Sequence, residues 1–234
     1  MEKNILLFSG GLDSLIAWYY LDKPVCLYVD IGHRYNKTEK ETIQRVAKLT
    51  EMTIIIDRRI YLGDQEREDA FIPMRNSFLL HTAALYADNI WIAIQKGEMK
   101  IPDRSDKFLE AIGSLLSFLQ EREIKVDTPF REMTKTEMVR WYLEQGHPVE
   151  VLYTTTSCYN GNSCGECAAC FRRWVSMELN GLTECYRTDP WTTPLAKEYL
   201  KRAKKGWYDE ERNNEILMAL KKKHVIYNLK GAVP

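Results

Sequence analysis

The sequence predicts an α/β protein: a doubly wound parallel sheet with helices on both faces, followed by a smaller helical, metal-binding part. Three observations point there. Short apolar runs alternate with segments of helical periodicity through the first half of the chain, the pattern of strands buried between two helical layers. A glycine pair, Gly10 and Gly11, stands between the first apolar run and the first helical segment. Four cysteines crowd into residues 158–170.

The elements follow in order. "NILLF" at 4–8 reads as a buried strand and 14–21 as the helix after it. "VCLYV" at 25–29 is a second strand, rich in branched and aromatic side chains. Residues 38–50 are helical, because Ile43, Val46, Ala47 and Leu49 or Thr50 keep a three-and-four spacing. "TIII" at 53–56 is the third strand, 76–87 a helix, "NIWIAI" at 89–94 the fourth strand and 104–120 another helix. In "TKTEMVRWYLEQG", Thr134 and Glu137 form a capping box and Gly146 supplies a left-handed stop. After Pro194 the composition turns to Lys, Glu and aromatic residues, with helical segments at 195–205 and 209–223. The chain thus divides into 1–150, the sheet and its helices; 151–194, the cysteine-bearing segment; and 195–234, a helical extension.

Composition narrows the function. A length of 234 residues suits one domain with a small appendage. Basic and acidic residues number 33 each, so no global field draws the chain to nucleic acid. No apolar run is long enough to span a bilayer, and the N-terminal run is too short for a secretion signal and leads straight into the glycine pair. A cytoplasmic protein without a membrane partner is expected. In that reducing compartment clustered cysteines read as metal ligands rather than disulfides; Cys26 and Cys185 stand apart from the cluster.

"SGGLDS" (residues 9–14) has the chemistry of a phosphate cradle. Glycines allow close backbone approach, and the following helix offers amides without intrahelical partners. The candidate nucleotide-binding residues are Phe8, Ser9, Gly10, Gly11, Leu12, Asp13 and Ser14. Neither GxxxxGK[ST] nor GxGxxG is present. With no lysine in the loop, Asp13 would repel phosphate unless a cation intervened, so a magnesium ion held by Asp13 is expected. The plain alternative is a tight turn with an acid in the first helical turn, where it is favoured in any case.

Cys158, Cys164, Cys167 and Cys170 are spaced C-x5-C-x2-C-x2-C. Four thiolates so close can close a tetrahedral zinc site, and Gly165 permits the turn that aims the sulfurs inward. A closed four-ligand site is structural. Buried free thiols or an iron–sulfur cluster are the alternatives.

The loop matches SGGxDS, the signature of the PP-loop ATP pyrophosphatase superfamily, whose members are similar in a Rossmann-like sheet and in splitting ATP between its α- and β-phosphates. Joined to "SCY…CGxCxxCxxR", it resembles the 7-cyano-7-deazaguanine (preQ0) synthase family of queuosine biosynthesis. "DIGHRY" (30–35), "IPMRN" (72–76), "IPDRSDKFLEAI" (101–112) and "TKTEMV" (134–139) resemble further stretches of that family. The resemblance runs from about Lys3 to Pro190. It departs at His33, where the family has glutamine, in the short spacing from Cys158 to Cys164, and in the extension.

The resemblance implies an ATP-dependent, carbon–nitrogen bond-forming ligase: 7-carboxy-7-deazaguanine and ammonia become 7-cyano-7-deazaguanine through an adenylated intermediate, with ATP, Mg²⁺ and a structural Zn²⁺. It assigns Asp13, Ser14, Arg75 and Lys135 to catalysis and Asn76 and Asp103 to the substrate. Arg75 and Lys135 would stabilise phosphate charge; Asp103 would accept from the guanine-like N–H edge. His33 is expected to pack or face water, and Arg172 and Arg173 to form a solvated helix face. No segment is available for a glutaminase, so free ammonia is the expected nitrogen source. "KRAKK" (201–205) and "KKK" (221–223) are read as one side of an amphipathic tail that packs on the domain or on a second copy in a homodimer, rather than as an RNA-binding patch. Three other readings stay open: a relative that stops at the 7-amido product or joins the acid to another amine, a protein's included; a PP-loop tRNA-modifying enzyme; and a zinc-stapled nucleotide sensor.

Overall fold

The computed structural model describes residues 2–68, 70–158, 160 and 163–230, with the side chains of residue 2 and of 224–230 excepted. Its five strands are all parallel: β1 (Glu2–Leu7), β2 (Val25–Val29), β3 (Ile54–Asp57), β4 (Ala87–Ile92) and β5 (Lys125–Asp127), in the order β3-β2-β1-β4-β5. The central strand is β1, where Ile5 pairs with Val25 on one side and Ile90 on the other. Ile5, Leu6, Leu27 and Ile90 are buried because a parallel sheet is covered on both faces. The chain winds outward from β1 to β2 and β3, then returns across β1 to β4. That reversal makes the carboxyl ends of β1 and β4 a topological switch point, the crevice where open α/β sheets bind ligands.

Four helices dress the sheet: α1 (Leu12–Tyr20), α2 (Asn36–Thr50), α3 (Arg75–Ala83) and α4 (Asp106–Gln120). Leu80, Ala83 and Ala84 from α3 and its C-terminal turn join Leu109, Ile112 and Leu116 of α4 in one core with β1, β2 and β4. Ser105 caps α4 by accepting from the Phe108 amide at 3.3 Å.

The structure corrects three expected boundaries and adds two elements. The helix expected over 76–87 ends at Ala83, because Ala87 already pairs with Glu2 in the sheet and the chain must turn between them. The strand expected over 89–94 runs Ala87–Ile92; beyond it Ile94 exchanges hydrogen bonds with the Thr128 hydroxyl, its amide donating at 3.1 Å and its carbonyl accepting at 2.7 Å. The helix expected from 104 starts at Asp106, since Pro102–Arg104 forms a separate 3₁₀ turn. Strand β5 and helix α6 (Val149–Thr154) are additional to the sequence reading.

The chain forms two compact units, Met1–Glu132 with Gly146–Thr156, and Met133–Gln145 with Ser157–Pro234. The first holds the sheet. The second holds α5 (Lys135–Glu144), α7 (Ala168–Leu179), α8 (Pro194–Lys204) and α9 (Glu210–Lys230). Of the segment read as 151–194, residues 151–156 thus fall with the sheet, while 157–194 share the second unit with the extension and with 133–145; residues 231–234 of the extension lie outside the described residues. The capping box of α5 is present, and Gly146 takes φ +71° just past its end. In the second unit Phe171, Trp174 and Val175 of α7 pack with Ala196, Tyr199 and Ala203 of α8 and Ile216, Ala219 and Leu220 of α9. Among the described residues no helix is long and apolar enough to cross a membrane.

Candidate active site and metal centre

The glycine loop leaves the carboxyl end of β1. Gly10 adopts φ +75°, a left-handed conformation that favours glycine, and a β-carbon there would lie 3.1 Å from Thr42 Cγ2 and 3.2 Å from Ile43 Cγ1. Gly11 is the extended N-cap of α1, so the amides of Leu12, Asp13 and Ser14 are the helix's first and have no intrahelical acceptor. The loop is braced from beneath. The Thr156 amide donates to the Gly10 carbonyl at 3.2 Å, and the Thr42 and Thr156 hydroxyls are 2.9 Å apart. Ser14 is buried and its hydroxyl donates to the Gly11 carbonyl at 3.0 Å. Ser9 is exposed and Asp13 half-buried. The arrangement puts backbone donors, a positive helix end and one carboxylate at the switch point.

The loop after β2 lies beside it. Asp30 accepts from the Gly32 amide at 3.3 Å, Asn36 Nδ2 at 3.2 Å and Lys40 Nζ at 2.8 Å. These donors hold its carboxyl below the usual carboxylate range against the opposing effect of burial, the largest single influence. His33 Nε2 sits 3.2 Å from Glu39 Oε2, and its ring meets Tyr35 edge-on. The expectation that His33 packs or faces water is corrected in part. Its side chain is 11% exposed, its Nε2 faces the Glu39 carboxylate, and its buried Nδ1 has no hydrogen-bond partner among the described residues. The Tyr28 hydroxyl is buried near the same carboxylate, and burial together with Glu39 and Asp30 pushes its phenol up. No local sequence signal joins Tyr28, His33 and Glu39, which come from β2, the loop after it and α2.

Arg34 fastens the next segment. Its amide donates to Glu66 Oε2 at 2.8 Å, its Nε lies 2.6 Å from Glu66 Oε1, and its guanidinium reaches the carbonyls of Arg67 and Glu68. The segment ends at Met74, which takes φ 58° and caps α3. Arg75 opens α3 half-buried, and Asn76 behind it is buried. Asn76 Nδ2 donates to the Asp103 carbonyl at 3.1 Å. Two residues expected at the substrate are therefore brought together, with the Asp103 carboxylate half-buried.

The cysteines converge. The sulfurs of Cys158, Cys164, Cys167 and Cys170 all lie within 4.8 Å of one another, Cys164 and Cys170 at 4.0 Å. An ion at about 2.3 Å from four tetrahedral thiolates sets them about 3.8 Å apart, so the set fits one zinc ion. The amides of Asn160 and Cys164 point at Cys158 Sγ at 3.3 and 3.4 Å, and the Cys170 amide at Cys167 Sγ at 3.4 Å, the donors thiolates attract. Without a cation, the neighbouring Cys167 and burial push the Cys170 thiol up; a bound ion reverses that preference by displacing the protons. Gly165 has φ +80°, and a β-carbon on it would fall 1.6 Å from the Thr188 carbonyl oxygen. Among the described residues this is the group of His, Cys, Asp and Glu placed to hold a metal ion.

Lys135 belongs to the second unit, as the first residue of α5, half-buried between the cap Thr134 and Thr136. Arg173 is corrected outright: it is no solvated face but is 5% exposed, with Nε 2.9 Å from both Glu184 oxygens and NH2 2.6 Å from Oε1. Tyr186, packed against the cysteines, donates to Glu184 Oε2 at 2.6 Å. In the tail, Lys222 donates to the Glu178 carbonyl at 2.8 Å and Lys223 lies 2.8 Å from Glu178 Oε2. Those two charges are tied to α7.

Comparison with known proteins agrees with this geometry. The family model described as queuosine biosynthesis protein QueC matches residues 48–181, a span that includes the four cysteines. The chain is similar to the 7-cyano-7-deazaguanine synthase of Persephonella marina, 29% identical over 223 residues, covering 80% of this chain and 95% of the relative. It is similar to that of Methanoculleus marisnigri, 30% identical over 217 residues and 76% and 96% of the two chains. To that of Methanopyrus kandleri it is 26% identical over 226 residues, 79% and 97% of the two.

Proposed function

The chain belongs to the QueC family of queuosine biosynthesis proteins, and from that premise we propose that it is an ATP-dependent ligase making 7-cyano-7-deazaguanine from 7-carboxy-7-deazaguanine and ammonia. Relatives that match nearly their whole length are named 7-cyano-7-deazaguanine synthase. The observation that carries the reading is the place of residues 9–14: a glycine-paired loop at the carboxyl end of the central strand, opening a helix where the sheet order reverses.

A carboxylate is a poor electrophile, and with ammonia it would only form the ammonium salt. Attack of the carboxylate oxygen on the α-phosphorus of ATP expels pyrophosphate and gives an acyl-adenylate. Ammonia then adds to the carbonyl carbon, loses a proton and expels AMP, leaving the amide. The amide oxygen attacks a second ATP, again expelling pyrophosphate; loss of the remaining nitrogen protons and cleavage of the C–O bond to AMP leaves the nitrile. No step needs a protein nucleophile. Alignment and stabilisation of charge on the departing pyrophosphate are what the chain must supply.

Gly10 and Gly11 admit the phosphates to the backbone, and the first amides of α1 meet their charge. Asp13 is the residue assigned to hold Mg²⁺, which supplies the positive charge the loop lacks. Arg75 and Lys135 are assigned to the leaving pyrophosphate, Lys135 on its sequence motif alone. Asn76 and Asp103 are assigned to the deazapurine. Cys158, Cys164, Cys167 and Cys170 would hold Zn²⁺ in a closed, structural site. Ammonia is taken as the free molecule.

The test is product analysis. The zinc-loaded full chain is incubated with MgATP, ammonium and 7-carboxy-7-deazaguanine, and products are weighed by mass spectrometry while AMP and pyrophosphate are counted. The expected result is the nitrile with two AMP released per molecule. An amide with one AMP replaces this reading with an enzyme that stops early. Absence of AMP overturns it.

A further inference from the structure

Helix α8 is amphipathic, and its polar side is strongly basic. Ala196, Tyr199 and Ala203 pack into the core of the second unit. Lys197, Lys201, Lys204 and Lys205 are exposed. Their spacing of i, i+4, i+7 and i+8 makes them neighbours along one strip of the helix. None of the four has an acidic partner among the described residues. Lys222 and Lys223 of α9, by contrast, are both tied to Glu178.

Helix energetics explains only part of this strip. The carboxyl end of α8 favours the cations Lys201 and Lys204 in its last turn. It gives no reason for Lys197, which lies toward the positive end. The acids closest in sequence are engaged elsewhere. Glu198 pairs with Arg202, and the Asp209 carboxylate accepts from the Arg212 amide at 2.9 Å. Glu210 and Glu211 stand in the first turn of α9, where the positive helix end meets their charge.

The strip ends on an aromatic platform. Trp207 is 71% exposed. Its backbone is fixed by a Schellman turn: Gly206 takes φ +67°, the Gly206 amide donates to the Ala203 carbonyl at 3.0 Å, and the Trp207 amide donates to the Arg202 carbonyl at 3.1 Å. The Arg202 guanidinium lies over the indole, 5.8 Å from its centroid, and is held in turn by Glu198. A ring with a cation over one face and most of its surface in water offers the other face for stacking.

We propose that this strip and Trp207 form a docking surface for single-stranded nucleic acid, with the lysines on backbone phosphates and Trp207 stacked on a base. A track of positive charge beside an exposed aromatic ring is the combination that binds unpaired strands without reading their sequence. The zero net charge of the chain limits its global field, not a local strip of four cations. A lipid surface fits less well, because the outward side of α8 offers lysines and no apolar band to enter the acyl boundary. An acidic peptide would engage the lysines and leave the ring unused, and a duplex hides the faces of its bases. Reading residues 201–205 as the solvated side of a packing tail accounts for the apolar face of α8 and leaves the alignment of the lysines with Trp207 unused. The proposal goes beyond the ligase reading and does not depend on it.

The experiment is anisotropy titration of a dye-labelled, mixed-sequence single-stranded RNA with the zinc-loaded full chain at several salt concentrations. The same strand annealed to its complement, poly-glutamate and phosphatidylglycerol vesicles are the comparisons. The single strand should bind more tightly than the duplex. The logarithm of its affinity should fall against the logarithm of salt with a slope of about −2 to −3, that of three or four phosphate contacts. Trp207→Ala should weaken binding about five-fold or more with the slope unchanged, and Trp207→Phe should restore most of the loss. Lys201→Ala combined with Lys204→Ala should make the slope shallower by about 1.4. The comparison of single strand with duplex needs no variant, so a misfolded one does not decide the matter. Absence of binding at low salt overturns the proposal. So does equal affinity for strand and duplex, or an unchanged affinity in Trp207→Ala. Binding to the vesicles or to poly-glutamate in place of RNA overturns it too, and would reassign the strip to a lipid or a protein partner.

Discussion

The hydroxyl of Thr134, the N-cap of α5, donates to Glu215 Oε1 of α9 at 2.5 Å, across 81 residues of sequence. The same hydroxyl accepts from the Glu137 amide at 3.3 Å, so the extension's acid completes the cap of a helix it is far from in sequence. Burial pushes the Glu215 carboxyl up, against the lowering effect of the Thr134 hydroxyl. A carboxyl with a raised folded pKa binds its proton more tightly folded than unfolded. Its contribution is therefore favourable at low pH and is lost as pH rises through the folded value. Glu215→Gln keeps an acceptor for Thr134 and removes the charge, so its thermal midpoint at pH 8 should equal or exceed that of the parent. Glu215→Ala leaves the buried hydroxyl without its acceptor and should cost about 1–3 kcal/mol in denaturant unfolding. Equal loss in both variants would sink this account.

Asp57 behaves in the opposite sense. At the end of β3 it accepts from the Arg59 amide at 2.8 Å, from the Arg59 guanidinium and from the Tyr86 hydroxyl at 2.8 Å. The Arg59 side chain leads in lowering its pKa to about 2. A depressed folded pKa gives stability that is present above the unfolded value, near 4, and fades as pH falls toward 2. Asp57→Asn should flatten the loss of stability over pH 4 to 2 relative to the parent, and lower stability at neutral pH. Unfolding curves at stepped pH check both, and parallel pH profiles for the two proteins would refute it.

Much of the sheet was readable because apolar runs such as "VCLYV" are bounded and short. The turn between α3 and β4 was not, because Ala83, Ala84 and Ala87 locally favour helix while Ala87 is claimed by its pairing with Glu2. Strand β5 is three residues long and exists through its pairing with Asn89–Trp91, which no local pattern announces. The cysteine cluster was legible because its ligands are close in sequence. Arg173 was misread because its partner Glu184 lies beyond the end of α7 and buries it. The meeting of Tyr28, His33 and Glu39 was hidden for a related reason: a strand, a loop and a helix bring them together.

Gly165 tests the metal centre without touching a sulfur. With φ +80° and the Thr188 carbonyl oxygen where a β-carbon would sit, Gly165→Ala must open the turn between Cys164 and Cys167. The expected outcome is loss of bound zinc by elemental analysis and a lower unfolding temperature. A chelator should produce the same change in the parent, since metal binding free energy is folding free energy in such sites. Full zinc content in the variant would mean that the turn yields without opening.

Asp13 and Gly10 separate the two functions of the glycine loop. Asp13 is half-buried in the first turn of α1, where an acid is favoured by the helix end, so Asp13→Ala should cost no more than about 1 kcal/mol of stability. If it holds the cation that offsets pyrophosphate charge, AMP formation should fall by about a hundred-fold or more, on the scale of losing one charge-stabilising group. Gly10→Ala instead strains a φ of +75° and crowds Thr42 and Ile43, so it should lower the melting temperature and weaken ATP binding together. Calorimetry and a pyrophosphate-release assay on both variants divide the possibilities. Full turnover in Asp13→Ala would return that residue to an ordinary first-turn acid.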